Sequence, residues 1–190
     1  MHTHHLFPWW AGYLLISPLR KLMLDPRELP GGYITPGMTL LDAGCAMGYF
    51  SIPMAEMTGP GGRVLCVDPQ ERMLRVLKRR AKKAGVSGII ETRLCSFDSL
   101  LLDECAGRVD LTLAFGVLHE VRDRKKLIRE IADALKPGGL FIFGEPHVVS
   151  KEEFTEELAM IEESGFATMK RWRKGRTSLA VLRKSGAAWR

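Results

Sequence analysis

A predicted strand passes into a predicted helix at the sequence Leu41-Asp42-Ala43-Gly44-Cys45-Ala46-Met47-Gly48-Tyr49-Phe50. Glycine in such a turn lets a ligand approach the backbone, and the first N–H groups of the helix are free to donate hydrogen bonds. A second predicted strand, residues 63–67, ends directly before Asp68. A glycine-containing turn followed about 20 residues later by an acid is the nucleoside-binding arrangement of doubly wound α/β proteins.

Short apolar runs alternate with amphipathic helical patterns along the chain, which is typical of a parallel sheet built from βαβ units. The predicted strands are residues 38–42, 63–67, 89–94, 109–115, 140–144, 167–172 and 177–182, the last two joined by the basic turn 173–176. Helices are predicted over 70–84, around the stripe Leu127, Ile128, Ile131 and Leu135, and around Phe154, Leu158 and Ile161. The sequence Lys136-Pro137-Gly138-Gly139 predicts a turn before the fifth strand.

Composition points to one globular domain, because the 190 residues are 46% hydrophobic and 26% charged. The longest apolar run, residues 6–16, is interrupted by Pro8 and Gly12 and falls short of the ~20 residues that span a bilayer. It also lacks the basic start and cleavage site of a signal peptide. We therefore expect a cytoplasmic protein with no membrane span. The four cysteines form no C-x-x-C pair, which favours reduced thiols over a metal site.

The glycine pattern also restricts the cofactor. A nicotinamide fingerprint that starts at Gly44 requires glycine at positions 46 and 49, where this chain has Ala46 and Tyr49. A phosphate-binding Walker A loop is absent, because no glycine is followed by Lys-Ser or Lys-Thr. Dinucleotide and nucleoside triphosphate chemistry are both disfavoured.

Four motifs in order resemble the class I S-adenosylmethionine-dependent methyltransferases over residues 36–182. They are Asp42-Ala43-Gly44-Cys45-Ala46-Met47-Gly48, Val67-Asp68-Pro69, Val109-Asp110-Leu111 with Leu118-His119-Glu120-Val121, and Leu135-Lys136-Pro137-Gly138-Gly139-Leu140. The resemblance implies a Rossmann-like, doubly wound, seven-stranded α/β sheet, mostly parallel with strand seven antiparallel, and helices on both faces. It assigns residues 36–190 to the methyltransferase domain and residues 1–35 to an N-terminal helical extension over the pocket.

The resemblance also implies which residues bind S-adenosylmethionine. Asp42 would orient the amino end of the cofactor, Asp68 would hold its ribose, and Pro69 would pack near its adenine. The remaining predicted cofactor contacts are Gly44, Cys45, Ala46 and Gly48 around the methionine part, then Ser96, Phe97, Asp98 and Phe115. The chain departs from the pattern at Ala46, which replaces the middle glycine, and at Ser96, which stands where an acid is usual.

Methyl transfer from a sulfonium is an in-line displacement, so a base is needed only when the acceptor must lose a proton. In the family, substrate-side groups follow strands four and five, which here are His119, Glu120, Glu145 and His147. His119 titrates near neutrality and is the first candidate base, with Glu145 second. Alternatively, His119 and Glu120 cap their loop. The aromatic residues Trp9, Trp10 and Tyr13 either line a pocket for a flat or apolar acceptor or pack against the sheet.

We therefore predict a methyltransferase that acts on a small-molecule acceptor, as a monomer or homodimer. The Asn-Pro-Pro-Tyr type motif of enzymes that methylate amino groups of DNA or protein is missing. One alternative is an RNA methyltransferase, because the net charge is +6 and basic residues cluster in 72–83 and 171–176. Another is a non-catalytic cofactor-binding module with the same fold. His2, His4 and His5 have no well-placed fourth ligand, so no metal is predicted.

Overall fold

The computed structural model describes Gly12, Ile16 and residues 24–186. Its centre is a seven-stranded sheet in the order β3-β2-β1-β4-β5-β7-β6. The strands are β1 Thr39–Ala43, β2 Arg63–Asp68, β3 Ile90–Leu94, β4 Val109–Phe115, β5 Leu135–Glu145, β6 Phe166–Lys174 and β7 Thr177–Lys184. Strands β1 to β5 pair in parallel, and β7 runs antiparallel to both β5 and β6. The predicted fold class is confirmed.

The sheet is buried on both faces because successive strand side chains point to opposite sides and both sets are apolar. Leu40 and Leu41 are adjacent in β1, fully buried, and belong to different core clusters. The α-helices are α1 Glu28–Gly31, α2 Ser51–Thr58, α3 Glu71–Lys83, α4 Arg124–Ala134 and α5 Lys151–Glu163. Helices α2 and α3 pack on the face of Leu40, and α4 and α5 on the face of Leu41.

Side-chain caps fix where the helices beside the site begin. The Asp123 carboxylate accepts a hydrogen bond from the Lys126 N–H at 2.9 Å, so α4 begins at Arg124. The Ser150 hydroxyl accepts one from the Glu153 N–H at 3.0 Å, so α5 begins at Lys151. Both helices thus begin just after the loops that follow β4 and β5, near the carboxyl edge of the sheet.

Strand β5 begins at Leu135, earlier than the predicted start at residue 140. The pairing register changes from Val109↔Leu135 to Leu111↔Leu140, so residues 136–139 form a bulge within the strand instead of a separate turn. Gly138 supplies the positive φ of 75° that this bulge needs. In the described part of the chain, no helix is long and apolar enough to cross a membrane.

Candidate active site

A cavity of about 350 Å³ opens at the carboxyl edge of the parallel strands. In open α/β sheets, ligands bind at this edge because the loops after the strands diverge there. Its walls come from the segments that follow all five parallel strands: Gly44, Ala46, Asp68, Pro69, Gln70, Met73, Cys95, Ser96, Phe97, Asp98, Ser99, Leu100, Phe115, Gly116, Val117, His119, Glu120, Val121, Asp123, Leu127, Pro146, His147 and Val148.

The turn after β1 has a left-handed backbone on one wall of this cavity. Gly44 has φ +73°, and a Cβ atom at this position would lie 2.5 Å from Cγ2 of Val117. Ala46 also has a positive φ, +46°, although it carries a Cβ atom. Both Gly44 and Cys45 donate their N–H groups to the carbonyl of Val67, at 2.9 and 3.0 Å. The turn is therefore anchored to the end of β2, where Asp68 follows.

Asp68 is buried and lies on the cavity wall between this turn and α3. Its Oδ2 accepts the N–H of Ala46 at 2.9 Å, and its Oδ1 accepts the N–H of Gln70 at 2.8 Å. Burial raises the pKa of Asp68, while these two hydrogen bonds act in the opposite direction. A carboxylate has about four acceptor positions, so Asp68 retains capacity for hydroxyl groups of a ligand.

Three predicted cofactor contacts in the glycine motif, Asp42, Cys45 and Gly48, lie outside the cavity wall. The Asp42 carboxylate is buried and accepts the hydroxyl of Ser51 at 2.5 Å, and burial raises its pKa to about 7. Cys45 is a buried thiol whose pKa is raised, chiefly by burial. A Cβ atom at Gly48 would lie 2.2 Å from Cδ1 of Leu77, so this glycine allows α3 to approach the turn. Their roles in cofactor binding stay predictions.

The segment after β3 forms the wall opposite the glycine turn and contains the predicted adenine contacts. Ser96, Phe97 and Asp98 all line the cavity, as do Pro69 and Phe115. The N–H of Asp98 donates to the Ser96 hydroxyl at 3.2 Å, and the Phe97 ring is about half exposed at the rim. Asp98 stands two residues after Ser96, the position where an acid is usual in the family, and both residues line the same wall.

On the other side of the cavity, His119 and Glu145 form a hydrogen-bonded pair. His119 Nδ1 and Glu145 Oε2 are 2.6 Å apart, and Glu145 is completely buried. Burial by itself lowers the pKa of His119, but the hydrogen bond to Glu145 and the charges of Glu145 and Glu120 raise it above its usual value. Glu120 Oε1 lies 3.9 Å from His119 Nε2, and burial raises the pKa of Glu120.

The described residues that line the cavity carry several acids and no lysine or arginine. Asp68, Asp98, Glu120 and Asp123 contribute the carboxylates, and His119 and His147 are the titratable bases. The rest of the wall is largely apolar. The cavity therefore favours a ligand that carries positive charge beside apolar groups, and it opposes phosphate.

Sequence reasoning missed several wall residues. Gly116, Val117, Pro146 and Val148 directly follow β4 and β5, so their position after a strand was a usable signal. Met73 and Leu127 carried no such signal, because they lie on helices whose apolar stripes predict only core packing. Burial raises the pKa of Cys95, another wall residue, to about 12, which keeps its thiol protonated.

The predicted acceptor residues Trp9, Trp10 and Tyr13 lie outside the described part of the chain, as do His2, His4 and His5. Two neighbours are described. Ile16 packs against the cluster of Met47, Met73 and Val76, and a Cβ atom at Gly12 would lie 2.9 Å from the Met73 sulfur. Since Met73 lines the cavity, residues 12 and 16 lie close to its wall.

The sequence is similar to a methyltransferase family model and to curated proteins named as methyltransferases. A family model described as Methyltransferase domain matches residues 34–182. The ubiquinone biosynthesis O-methyltransferase of Methylobacterium sp. (strain 4-46) is 38% identical over 139 residues, 73% of this chain and 51% of the relative. The enzyme of that name from Methylocella silvestris is 32% identical over 139 residues, 72% of this chain and 52% of the relative. The chain spans about half the length of these curated relatives.

Solved structures share the fold. A SAM-dependent methyltransferase from Aquifex aeolicus has a TM-score of 0.82 at 21% identity, covering 94% of this chain and 98% of that chain. An S-adenosylmethionine-dependent methyltransferase from Mesorhizobium loti has a TM-score of 0.67, also at 21% identity, covering 83% and 96%. At these identities the likeness shows the fold alone.

Proposed function

This chain belongs to the methyltransferase domain family, and from that premise we propose that it transfers a methyl group from S-adenosylmethionine to a hydroxyl oxygen of a small, largely apolar acceptor. The observation that carries this proposal is one cavity with Asp68 on one wall and, on another, His119, which is hydrogen-bonded to the buried Glu145 behind it. The first wall suits the cofactor, and the second suits proton removal from the acceptor.

The residues present fit S-adenosylmethionine. Its ribose diol requires an acceptor, which Asp68 supplies, and its adenine requires an apolar slot, which Pro69 and Phe97 supply. The backbone of Gly44 and Ala46 lies at the wall where the methionine part would bind. The acidic wall attracts the positive sulfonium. When bound, the cofactor supplies an electrophilic methyl group.

The His119–Glu145 pair is arranged for general base catalysis. With Nδ1–H donating to the buried carboxylate of Glu145, the imidazole has Nε2 as its acceptor nitrogen. Nε2 takes the hydroxyl proton as the acceptor oxygen becomes methylated, and Glu145 stabilises the resulting imidazolium. Glu145 also accepts the N–H of Leu118 at 3.2 Å, which holds the backbone that carries His119.

A small acceptor is supported by two observations. The relatives named ubiquinone biosynthesis O-methyltransferase methylate oxygen by name, and Val121, Leu127 and Val148 make the acceptor wall apolar. An acceptor that places phosphate groups inside the cavity is disfavoured, because no lysine or arginine lies among the described wall residues. A cytoplasmic location and a monomeric or homodimeric state stay predictions.

Calorimetric titration tests the cofactor half. We expect S-adenosylmethionine and S-adenosylhomocysteine to bind, NADH not to bind, and Asp68→Asn to weaken both sulfur ligands by about tenfold or more, since a hydrogen bond to a charged group is worth about 1.5–3 kcal/mol. Asp133→Asn, an exposed aspartate at the far end of α4, is the matched control and should bind normally. Absence of binding by both sulfur compounds would overturn the proposal.

A panel of small phenols, with S-adenosylhomocysteine release as the readout, tests the catalytic half. His119→Gln should lower kcat by about 100-fold or more while leaving the cofactor affinity unchanged, because general bases contribute about 10²–10⁴ in rate. If a turned-over phenol is methylated equally well by wild-type enzyme and His119→Gln, His119 is not the base. A folded protein that binds cofactor and turns over no acceptor favours the non-catalytic module.

A further inference from the structure

Glu157 on α5 is a buried acid that the proposed mechanism does not use. Its side chain has no exposed surface, and neither carboxylate oxygen makes a hydrogen bond with any described group. Its ion-pair partner is Arg124, whose Nη1 lies 3.3 Å from Glu157 Oε1. A carboxyl group buried with so few polar contacts is costly, and such groups call for a functional explanation.

Arg124 connects this acid to the catalytic turn. Its Nε donates to the carbonyl of Leu118 at 3.2 Å, and its Nη2 donates to Glu153 at 2.8 Å. The N–H of the same Leu118 donates to Glu145. The 3₁₀ turn Leu118–Glu120 is thus held from both sides, by Glu145 at its N–H and by Arg124 at its carbonyl. His119, within that turn, bonds to the other oxygen of Glu145.

We propose that Glu157 is a positioning residue for the reaction: through Arg124 it fixes the turn that carries His119, and its buried charge stabilises the imidazolium formed when His119 accepts a proton. This inference rests on the proposed function. It extends the site from the cavity wall to the buried face of α5, away from the acceptor and the cofactor.

The charged groups that surround Glu157 come from four elements. Glu145 lies on β5, Arg124 on α4, His119 on the 3₁₀ turn, and Glu153 one turn earlier on α5. Burial and then the charge of Glu145 raise the pKa of Glu157 to about 7, and Arg124 opposes them. As pH rises through neutrality, Glu157 therefore becomes charged, and this charge favours the protonated form of His119.

The test is an NMR titration of the His119 Cε1–H signal, assigned by its loss in His119→Gln. In Glu157→Gln, which keeps the side-chain shape and removes the charge, we expect the pKa of His119 to fall by about half a pH unit or more. Glu156→Gln, the exposed neighbour on α5, is the matched control and should leave the His119 titration unchanged. An unchanged titration in folded Glu157→Gln would overturn the proposal.

A second measurement uses the wild-type protein and needs no substitution. In a ¹³C titration of the side-chain carboxyl groups, Glu157 should titrate near pH 7, and the His119 signal should shift over the same range. A His119 signal that shows no change over the pH range in which Glu157 titrates would refute the coupling between the two groups. Because neither titration needs cofactor or acceptor, a failure here is distinguishable from a failure of the proposed function, which calorimetry and turnover report.

Discussion

The two sides of the cavity are built by different means. The proposed cofactor side is shaped by backbone conformation: left-handed residues at Gly44 and Ala46, and N–H groups that donate to the Val67 carbonyl and the Asp68 carboxylate. The proposed acceptor side has apolar residues on its wall and side-chain charges behind it, which are packed between β5, α4 and α5 with His119–Glu145 at their centre. Backbone conformations require particular residues at fixed spacing, whereas charged pairs can be assembled from common residues at many positions. The glycine turn therefore leaves a more specific motif than the residues around His119.

The sharpest test of the backbone side is Gly48→Ala. A Cβ atom there meets both a positive φ of 78° and the Leu77 side chain, so we expect a loss of about 2–5 kcal/mol in the free energy of unfolding. Urea denaturation measures it. Gly85→Ala is the control, because Gly85 has φ +74° with open space around it and should cost only about 1–2 kcal/mol. Equal losses would mean that α3 does not depend on this close approach.

Asp42 tests whether the glycine turn also depends on a buried carboxyl group. Its raised pKa of about 7 means that the folded protein holds a proton that the unfolded chain has already lost. Stability should therefore fall as pH rises from 4.5 to 8, and Asp42 alone contributes about 3 kcal/mol of that fall. Asp42→Asn keeps an acceptor for the Ser51 hydroxyl and should remove the Asp42 contribution to the pH dependence. Urea denaturation at pH 4.5 and pH 8 measures this. An unchanged pH dependence would contradict a buried, protonated Asp42.

The smallest effect is expected at Ala46, the alanine in a left-handed conformation. Ala46→Gly removes steric strain of about 1–2 kcal/mol and adds flexibility to the unfolded chain worth about 0.4–1 kcal/mol. A net stabilisation of up to about 1.6 kcal/mol should follow, visible as a higher thermal midpoint. The N–H to Asp68 is retained, so the affinity for S-adenosylmethionine should stay the same. A destabilised variant would mean that the Ala46 methyl group contributes packing that outweighs its strain.

Much of the site was predictable because it follows the ends of strands. Asp68 was predicted from its place at the end of the second strand, Pro69 and the 96–98 segment were implied by the family resemblance, and all of them line the cavity. His119 and Glu145 were predicted separately, and the structure joins them in one pair. Arg124 and Glu157 were not predicted. They lie on amphipathic helices, where charged residues ordinarily face solvent. The spacing of Glu157 from Phe154 and Ile161 places it on the buried face of α5, but it does not show that Arg124 is its partner there.

The sequence by itself determined the sheet of βαβ units and the position of the glycine turn and Asp68 at the ends of its first two strands, because apolar periodicity and glycine positions are local properties of the chain. Tertiary structure alone decided that Asp42, Cys45 and Gly48 lie behind the cavity wall, and that Glu145, Arg124 and Glu157 converge on one turn. That convergence depends on how α4 and α5 pack against the sheet. Packing of this kind is set by the shape and burial of many side chains together, which no short stretch of sequence contains.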